Sequence, residues 1–200
     1  MKAVNVLLFE DFTTLDALGP AEVFSKLNQM YRVDYFSLHG GLVSGSANTK
    51  VQTKKIEEIA QNDIVLIPGG WGTRQLVNDS QFIEKLREAA EKSENVLCVC
   101  TGSALLAKTG LLDNRRATSN KIAWEWVTAQ SEKVKWVRKA RWVTDGKYYT
   151  SSGITAGIDM SLGFVSDKVG YETAREICTA LEYVRNENKD EDPFSESEEK

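Results

Sequence analysis

The feature that most constrains this chain is a series of short, apolar, β-branched runs set between stretches of helical periodicity. Val4-Asn5-Val6-Leu7-Leu8-Phe9, Asp63-Ile64-Val65-Leu66-Ile67 and Val96-Leu97-Cys98-Val99 are nearly continuous in apolar character rather than alternating. A strand that is apolar on both sides has to be covered on both sides. That is the condition of a mostly parallel sheet held between two helical layers.

The segments between these runs fit the same plan. Gly19-Pro20 opens a helical pattern, with Pro20 suited to a first turn and Val23, Phe24 and Leu27 on one face. Arg32 to Leu38 reads as a second strand closed by Gly40-Gly41, and Leu42 to Thr53 as a small hairpin. Ser80 can cap a helix reaching about Ser93, with Phe82, Ile83, Leu86 and Ala90 inward. A short helix over Thr101–Lys108 ends at Gly110, and Ile122–Ala129 reads as helical. Trp136–Trp142 and Tyr148–Ser151 read as strands, and Thr155–Val169 and Tyr171–Val184 as closing helices. The alternation predicts an α/β fold: a flavodoxin-like three-layer sandwich, with helices on both faces of a mostly parallel sheet. One domain over residues 1–185 accounts for the pattern. Residues 186–200 turn abruptly to Asn, Asp, Glu, Lys and Ser, an acidic tail whose composition predicts disorder.

Composition narrows the function classes. The net charge of −4 gives no electrostatic reason to expect nucleic acid or an anionic membrane as partner. No apolar run is long enough to span a bilayer, and the N-terminus runs straight into a strand without the pattern of a signal peptide. A cytoplasmic location is the expectation. The three cysteines, Cys98, Cys100 and Cys178, are an odd number that argues against a disulfide framework. Cys98 and Cys100 form only a C-x-C pair, with the single histidine, His39, far away, so no metal site or cofactor is expected.

Chemistry concentrates in Val96-Leu97-Cys98-Val99-Cys100-Thr101-Gly102-Ser103-Ala104. A buried strand runs directly into a helix and leaves Cys100 at the strand's carboxyl end, where ligands gather in open α/β sheets. Small residues at 102–104 permit the tight reversal, giving a nucleophile elbow with cysteine in place of serine. A helix start favours an anion and can lower a thiol pKa from ~8.5 to roughly 3.5–7.5. On that basis Cys100 is expected as a thiolate, with the Thr101 N–H facing the same crevice. Cys98, mid-strand, and Cys178, on an apolar helical stretch, read as packing residues.

The chain resembles the ThiJ/PfpI superfamily, whose fold is related to the class I glutamine amidotransferases. The match is carried by Thr14-Leu15-Asp16-Ala17-Leu18-Gly19-Pro20, Ile67-Pro68-Gly69-Gly70-Trp71-Gly72, Cys98-Val99-Cys100-Thr101-Gly102-Ser103, and Leu111-Leu112 through Arg116-Ala117-Thr118. The L-D-x-x-G-P form is most similar to the isonitrile hydratases and to the ligand-sensing domains of certain AraC-type regulators. The resemblance implies that Cys100 attacks the terminal carbon of an isonitrile while Asp16 handles the proton, and that water resolves a thioimidate to an N-substituted formamide. It further implies that Gly70 offers a backbone N–H beside that of Thr101, whose side chain positions water or substrate, and that Trp71 and Ile154 border the substrate. Relatives are commonly dimers, so a homodimer acting on a small molecule is expected. On the residues alone, Asp16 can equally be read as a helix cap.

One departure matters. Many relatives carry a histidine just after the Arg-Ala-Thr segment, where this chain has Asn120. Asparagine forms hydrogen bonds but is no base near neutral pH, so a Cys–His dyad and a protease are not expected. Three functions stay open: a cysteine-dependent hydratase or hydrolase, a glyoxalase- or deglycase-like activity on α-oxoaldehydes, and a redox or stress sensor built on Cys100. Direct DNA binding is not expected, since the acidic tail stands where AraC-type relatives add a DNA-binding domain.

Overall fold

The three apolar runs become adjacent, parallel strands at the centre of the sheet. The computed structural model describes residues 1–196. In chain order its strands are β1 (Lys2–Leu7), β2 (Tyr31–Ser37), β3 (Gly41–Ser44), β4 (Lys50–Lys55), β5 (Ile64–Ile67), β6 (Asn95–Cys98), β7 (Arg116–Ala117), β8 (Lys135–Trp136), β9 (Trp142–Asp145) and β10 (Tyr148–Ser151). Its helices are α1 (Thr14–Ser25), α2 (Thr73–Leu76), α3 (Ser80–Lys92), α4 (Gly102–Lys108), α5 (Trp124–Thr128), α6 (Ala156–Lys168) and α7 (Tyr171–Ala180). Eight strands form one sheet in the order β3-β4-β2-β1-β5-β6-β10-β9, while β7 and β8 make a separate two-stranded ladder. All sheet pairings from β4 to β10 are parallel, and the antiparallel β3 and β9 close the two edges.

Helices α1, α6 and α7 pack together in one layer, and α2, α3, α4 and α5 in the other. In the first layer Phe24 and Tyr149 meet the ring of Phe164 edge-on, with centroids 5.8 and 5.2 Å away. Such pairs add ~0.5–1.5 kcal/mol beyond the apolar area they bury. Gly19 lets α1 approach α6: a Cβ there would stand 2.8 Å from Ile158 Cγ1. No helix among the described residues is long and apolar enough to cross a membrane.

Several expectations change. Helix α1 begins at Thr14, so Pro20 lies inside it rather than in its first turn. The early start is supported from a distance, because Ser46 Oγ accepts the Thr14 N–H at 3.0 Å and the Ser46 carbonyl accepts the Thr14 hydroxyl. The expected strand over 136–142 is two strands, β8 and β9, joined by irregular backbone. Helix α5 starts two residues late because Asn120 Oδ1 accepts the Ala123 N–H at 2.8 Å, leaving Ile122 outside and 97% exposed.

Residues 186–196 run as a strap against the domain. The Lys189 carbonyl accepts the N–H groups of Arg141 and Trp142, and the Asp192 N–H donates to the Lys139 carbonyl at 2.7 Å. Asp192 is itself buried, 4.0 Å from Arg141. Composition missed this because the strap is held by backbone hydrogen bonds and a buried guanidinium, not by apolar area. The last four residues of the expected disordered tail lie outside the described residues.

Candidate active site

Strand β6 ends at Cys98, and two residues later Cys100 takes φ = +56°, left-handed backbone that a side chain adopts only when neighbours enforce it. Those neighbours are visible. The Cys100 N–H donates to the Ser152 carbonyl, and the Cys100 carbonyl accepts the hydroxyls of Ser119 at 2.8 Å and Ser103 at 3.1 Å. Glycine is required just beyond, since a Cβ on Gly102 would lie 2.5 Å from the Ile67 carbonyl oxygen.

Asp16 reaches the elbow from the first turn of α1. Its Oδ2 accepts the Gly69 N–H at 3.0 Å, and its Oδ1 is buried without a hydrogen-bond partner. The side chain therefore spans to the β5 turn instead of capping its own helix. Burial raises the Asp16 pKa to about 7, against which the Gly69 N–H and the neighbouring Cys100 thiol lower it only in part.

The thiol departs from expectation. Cys100 is only 6% exposed, and burial, reinforced by the Asp16 carboxylate, pushes it up to about 12. Three groups pull the other way: the N–H of Thr101, the N–H of Ile154 and the side chain of Asn120. The start of α4 contributes the Thr101 N–H, and desolvation outweighs it. Thiol and carboxyl titrate as a pair: the first proton leaves near neutrality and the second is held far above it. The resting site is thus a buried thiol beside a carboxyl that can take or give a proton at neutral pH.

Two roles implied by resemblance do not fit the geometry. The Gly70 N–H is occupied by Thr101 Oγ1 at 3.0 Å, so it does not stand beside the Thr101 N–H as a second free donor. Thr101 Oγ1, in turn, lies 3.2 Å from Thr73 Oγ1, and this hydroxyl ties together the turns after β5 and β6. The second N–H beside Sγ comes from Ile154, at φ = +41° before α6, and the third donor from Asn120. With Asn120 Oδ1 taken by the Ala123 N–H, the amide presents Nδ2 toward the thiol.

Cys100, Asp16, Thr101 and Ile154 thus converge on one point, with Gly70 attached through Thr101. Trp71 stands at the rim, 77% exposed, over the guanidinium of Arg74. Arg74 is the residue that sequence reasoning missed, together with the donor role of Asn120. Its only signal was adjacency to the Gly69-Gly70-Trp71-Gly72 turn. The tryptophans behave as packing residues: Trp124 meets Trp136 edge-on and Trp142 covers Gly163. His39 follows β2 and is not among the groups around Cys100.

Comparison with known proteins agrees with this architecture. The chain is 33% identical over 184 residues to isonitrile hydratase of Pseudomonas putida, covering 90% of this chain and 78% of that protein. It is 28% identical to the HTH-type transcriptional regulator GbdR of Pseudomonas aeruginosa, over 94% of this chain but only 52% of the regulator's length. Among solved structures, a ThiJ/PfpI family protein from Pseudomonas syringae superposes with a TM-score of 0.84 at 22% identity, covering 92% of this chain and 76% of that one. Drosophila melanogaster DJ-1beta gives 0.79 at 20% identity, covering 92% and 98%. Similarity therefore extends to an enzyme and to regulators built on one fold. With the DJ-1/PfpI family pattern matched over residues 2–167, the chain belongs to the DJ-1/PfpI family.

Proposed function

We propose that this protein hydrates a small electrophilic carbon, an isonitrile, to the N-substituted formamide, with Cys100 as nucleophile and Asp16 as proton carrier. The carrying observation is the buried pair: a thiol held against a carboxyl whose pKa of about 7 lets it work in both directions. Similarity to isonitrile hydratase supports the choice of substrate.

The proton balance follows from the pair. Cys100 Sγ bonds to the terminal carbon as its proton passes to the Asp16 carboxylate and on to that carbon, giving a thioimidate. Water then adds across the C=N bond, the C–S bond breaks, and the formamide leaves as the thiol regains a proton through Asp16. Because the thiol starts protonated, attack and proton transfer are coupled and no standing thiolate is needed. The N–H groups of Thr101 and Ile154, with the Asn120 amide, favour the negative charge that collects on sulfur as the bond forms and breaks.

Neither alternative gains from the geometry. A sensor cysteine is an accessible thiolate, whereas Cys100 is buried and raised. The α-oxoaldehyde reading would draw on the same Cys100–Asp16 pair, and no relative described above supports that substrate. Incubation with an alkyl isonitrile and detection of the formamide by NMR tests the proposal. Turnover that disappears in Cys100→Ala is expected; absent turnover, or turnover unchanged in that variant, overturns it.

A further inference from the structure

Arg74, on α2, packs against two indole rings. Its guanidinium carbon sits 3.6 Å from the ring centroid of Trp126, in α5, and 5.3 Å from that of Trp71. Nη1 donates to Thr73 Oγ1 at 3.2 Å, and Thr73 Oγ1 lies 3.2 Å from Thr101 Oγ1, one residue from the nucleophile. Indole faces hold the cation in place without neutralising it. Among the described residues no carboxylate pairs with Arg74, nor with the exposed Arg116, whereas Arg32, Arg87, Arg115, Arg138, Arg141, Arg175 and Arg185 each have one. Burial pulls the guanidinium below its ordinary value, and the Cys100 sulfur is near enough to act on it in the opposite sense.

A guanidinium has five N–H donors in a rigid fork, of which the protein uses one here. Linked through the Thr73 and Thr101 hydroxyls to the residue after the nucleophile, with its remaining donors unspent and no acidic partner among the described residues, it matches the planar, bidentate demand of a carboxylate. We propose that Arg74 is a specificity residue that receives a carboxylate on the substrate, so that the preferred electrophile carries this group a few bonds from the carbon that Cys100 attacks. This inference deepens the hydratase reading and rests on Cys100 as nucleophile, but its test does not require turnover.

The test is alkylation of Cys100 by iodoacetate against iodoacetamide, followed site by site by mass spectrometry. In both reactions an S–C bond forms, the C–I bond breaks, iodide leaves and the thiol proton passes to Asp16 or water. Any change in thiol pKa acts on both reagents alike and cancels in their rate ratio. The iodoacetate-to-iodoacetamide ratio at Cys100 is expected to exceed that of a free small thiol about tenfold, a difference of ~1.4 kcal/mol. It should fall in Arg74→Gln to the free-thiol ratio or below it, since the Asp16 carboxylate disfavours the anionic reagent, and be intermediate in Arg74→Lys, which keeps the charge without the fork. Urea unfolding midpoints of the variants close to that of the native protein show an intact fold, while any common slowing of both reagents reports the thiol and leaves the ratio as the readout. Equal ratios in the native protein and Arg74→Gln overturn the inference. Turnover of a neutral alkyl isonitrile, measured alongside, separates the two readings: a shifted ratio without turnover retains the anion site and removes the hydratase, and turnover with equal ratios does the reverse.

Discussion

Replacing Asp16 by Asn should make Cys100 more reactive and the protein less active, and the opposite signs make the substitution informative. Asn fills the same space and can still accept the Gly69 N–H that Asp16 Oδ2 accepts at 3.0 Å. What disappears is a buried negative charge beside the thiol, one of the two causes that hold Cys100 at about 12. For charges about 4 Å apart at an effective dielectric near 20 the interaction is on the order of 4 kcal/mol, equivalent to about a thousandfold in thiolate population. A thiolate of lower pKa is also a weaker nucleophile, which with a Brønsted coefficient of about 0.45 takes back roughly 20- to 30-fold. The net expectation is alkylation by iodoacetamide at pH 8 about 30-fold faster in Asp16→Asn than in the native protein. Formamide production should fall by at least ~10²-fold over the same pH range, because the amide cannot carry the thiol proton. Measuring both rates on one preparation decides the matter. Alkylation that is unchanged or slower in the variant refutes the account of why the thiol is raised, and turnover that survives refutes Asp16 as proton carrier.

Asp16 should also leave a mark on stability. Its folded pKa of about 7 lies above the ordinary 3.8, so the folded state binds the extra proton between those values, and stability falls as pH rises through that window and is level above it. Urea unfolding at pH 5 and pH 8 should show Asp16→Asn gaining on the native protein with pH, by roughly 2–3 kcal/mol for the two pKa units crossed below 7; equal pH dependence of the two proteins counts against the raised carboxyl. Thr101→Ala leaves the Gly70 N–H without its acceptor and should cost ~1–3 kcal/mol in chemical denaturation, with Thr101→Ser restoring most of it. Ending the chain after Asn188 removes the Lys189 carbonyl that accepts from Arg141 and Trp142, and should lower stability by about 2–5 kcal/mol; an unmoved urea midpoint would mean that the strap contributes nothing.

What could be read from the residues was whatever depends on near neighbours in the chain. Continuous apolar runs at Val4–Leu8, Ile64–Ile67 and Val96–Val99 dictated strands covered on both faces, and with them the parallel sheet and its two helical layers. The abrupt passage from Val99 through Cys100 to Gly102 marked the elbow, because only small residues allow so tight a reversal. The start of α1 was not legible, since the group that supports it is Ser46, thirty-two residues away in sequence. Nor was the order of the strap over 186–196, which depends on a pairing with Arg141 that composition cannot report.

The sequence by itself therefore determined that a cysteine stands at a strand-to-helix turn in an α/β sandwich, since each of those facts rests on local periodicity and local sterics. The protonation state of that cysteine was decided only by tertiary structure. Helix-end polarity, visible in the sequence, favours a thiolate, whereas burial and the Asp16 carboxylate brought in by α1 favour the thiol, and desolvation outweighs what two helical turns supply. The donors around Sγ come from Thr101, Ile154 and Asn120, and the guanidinium of Arg74 packs against Trp71 and Trp126. These groups meet only because the parallel sheet brings the carboxyl ends of β5, β6 and β10 to one edge. That is a property of strand order in space and has no counterpart in spacing along the chain.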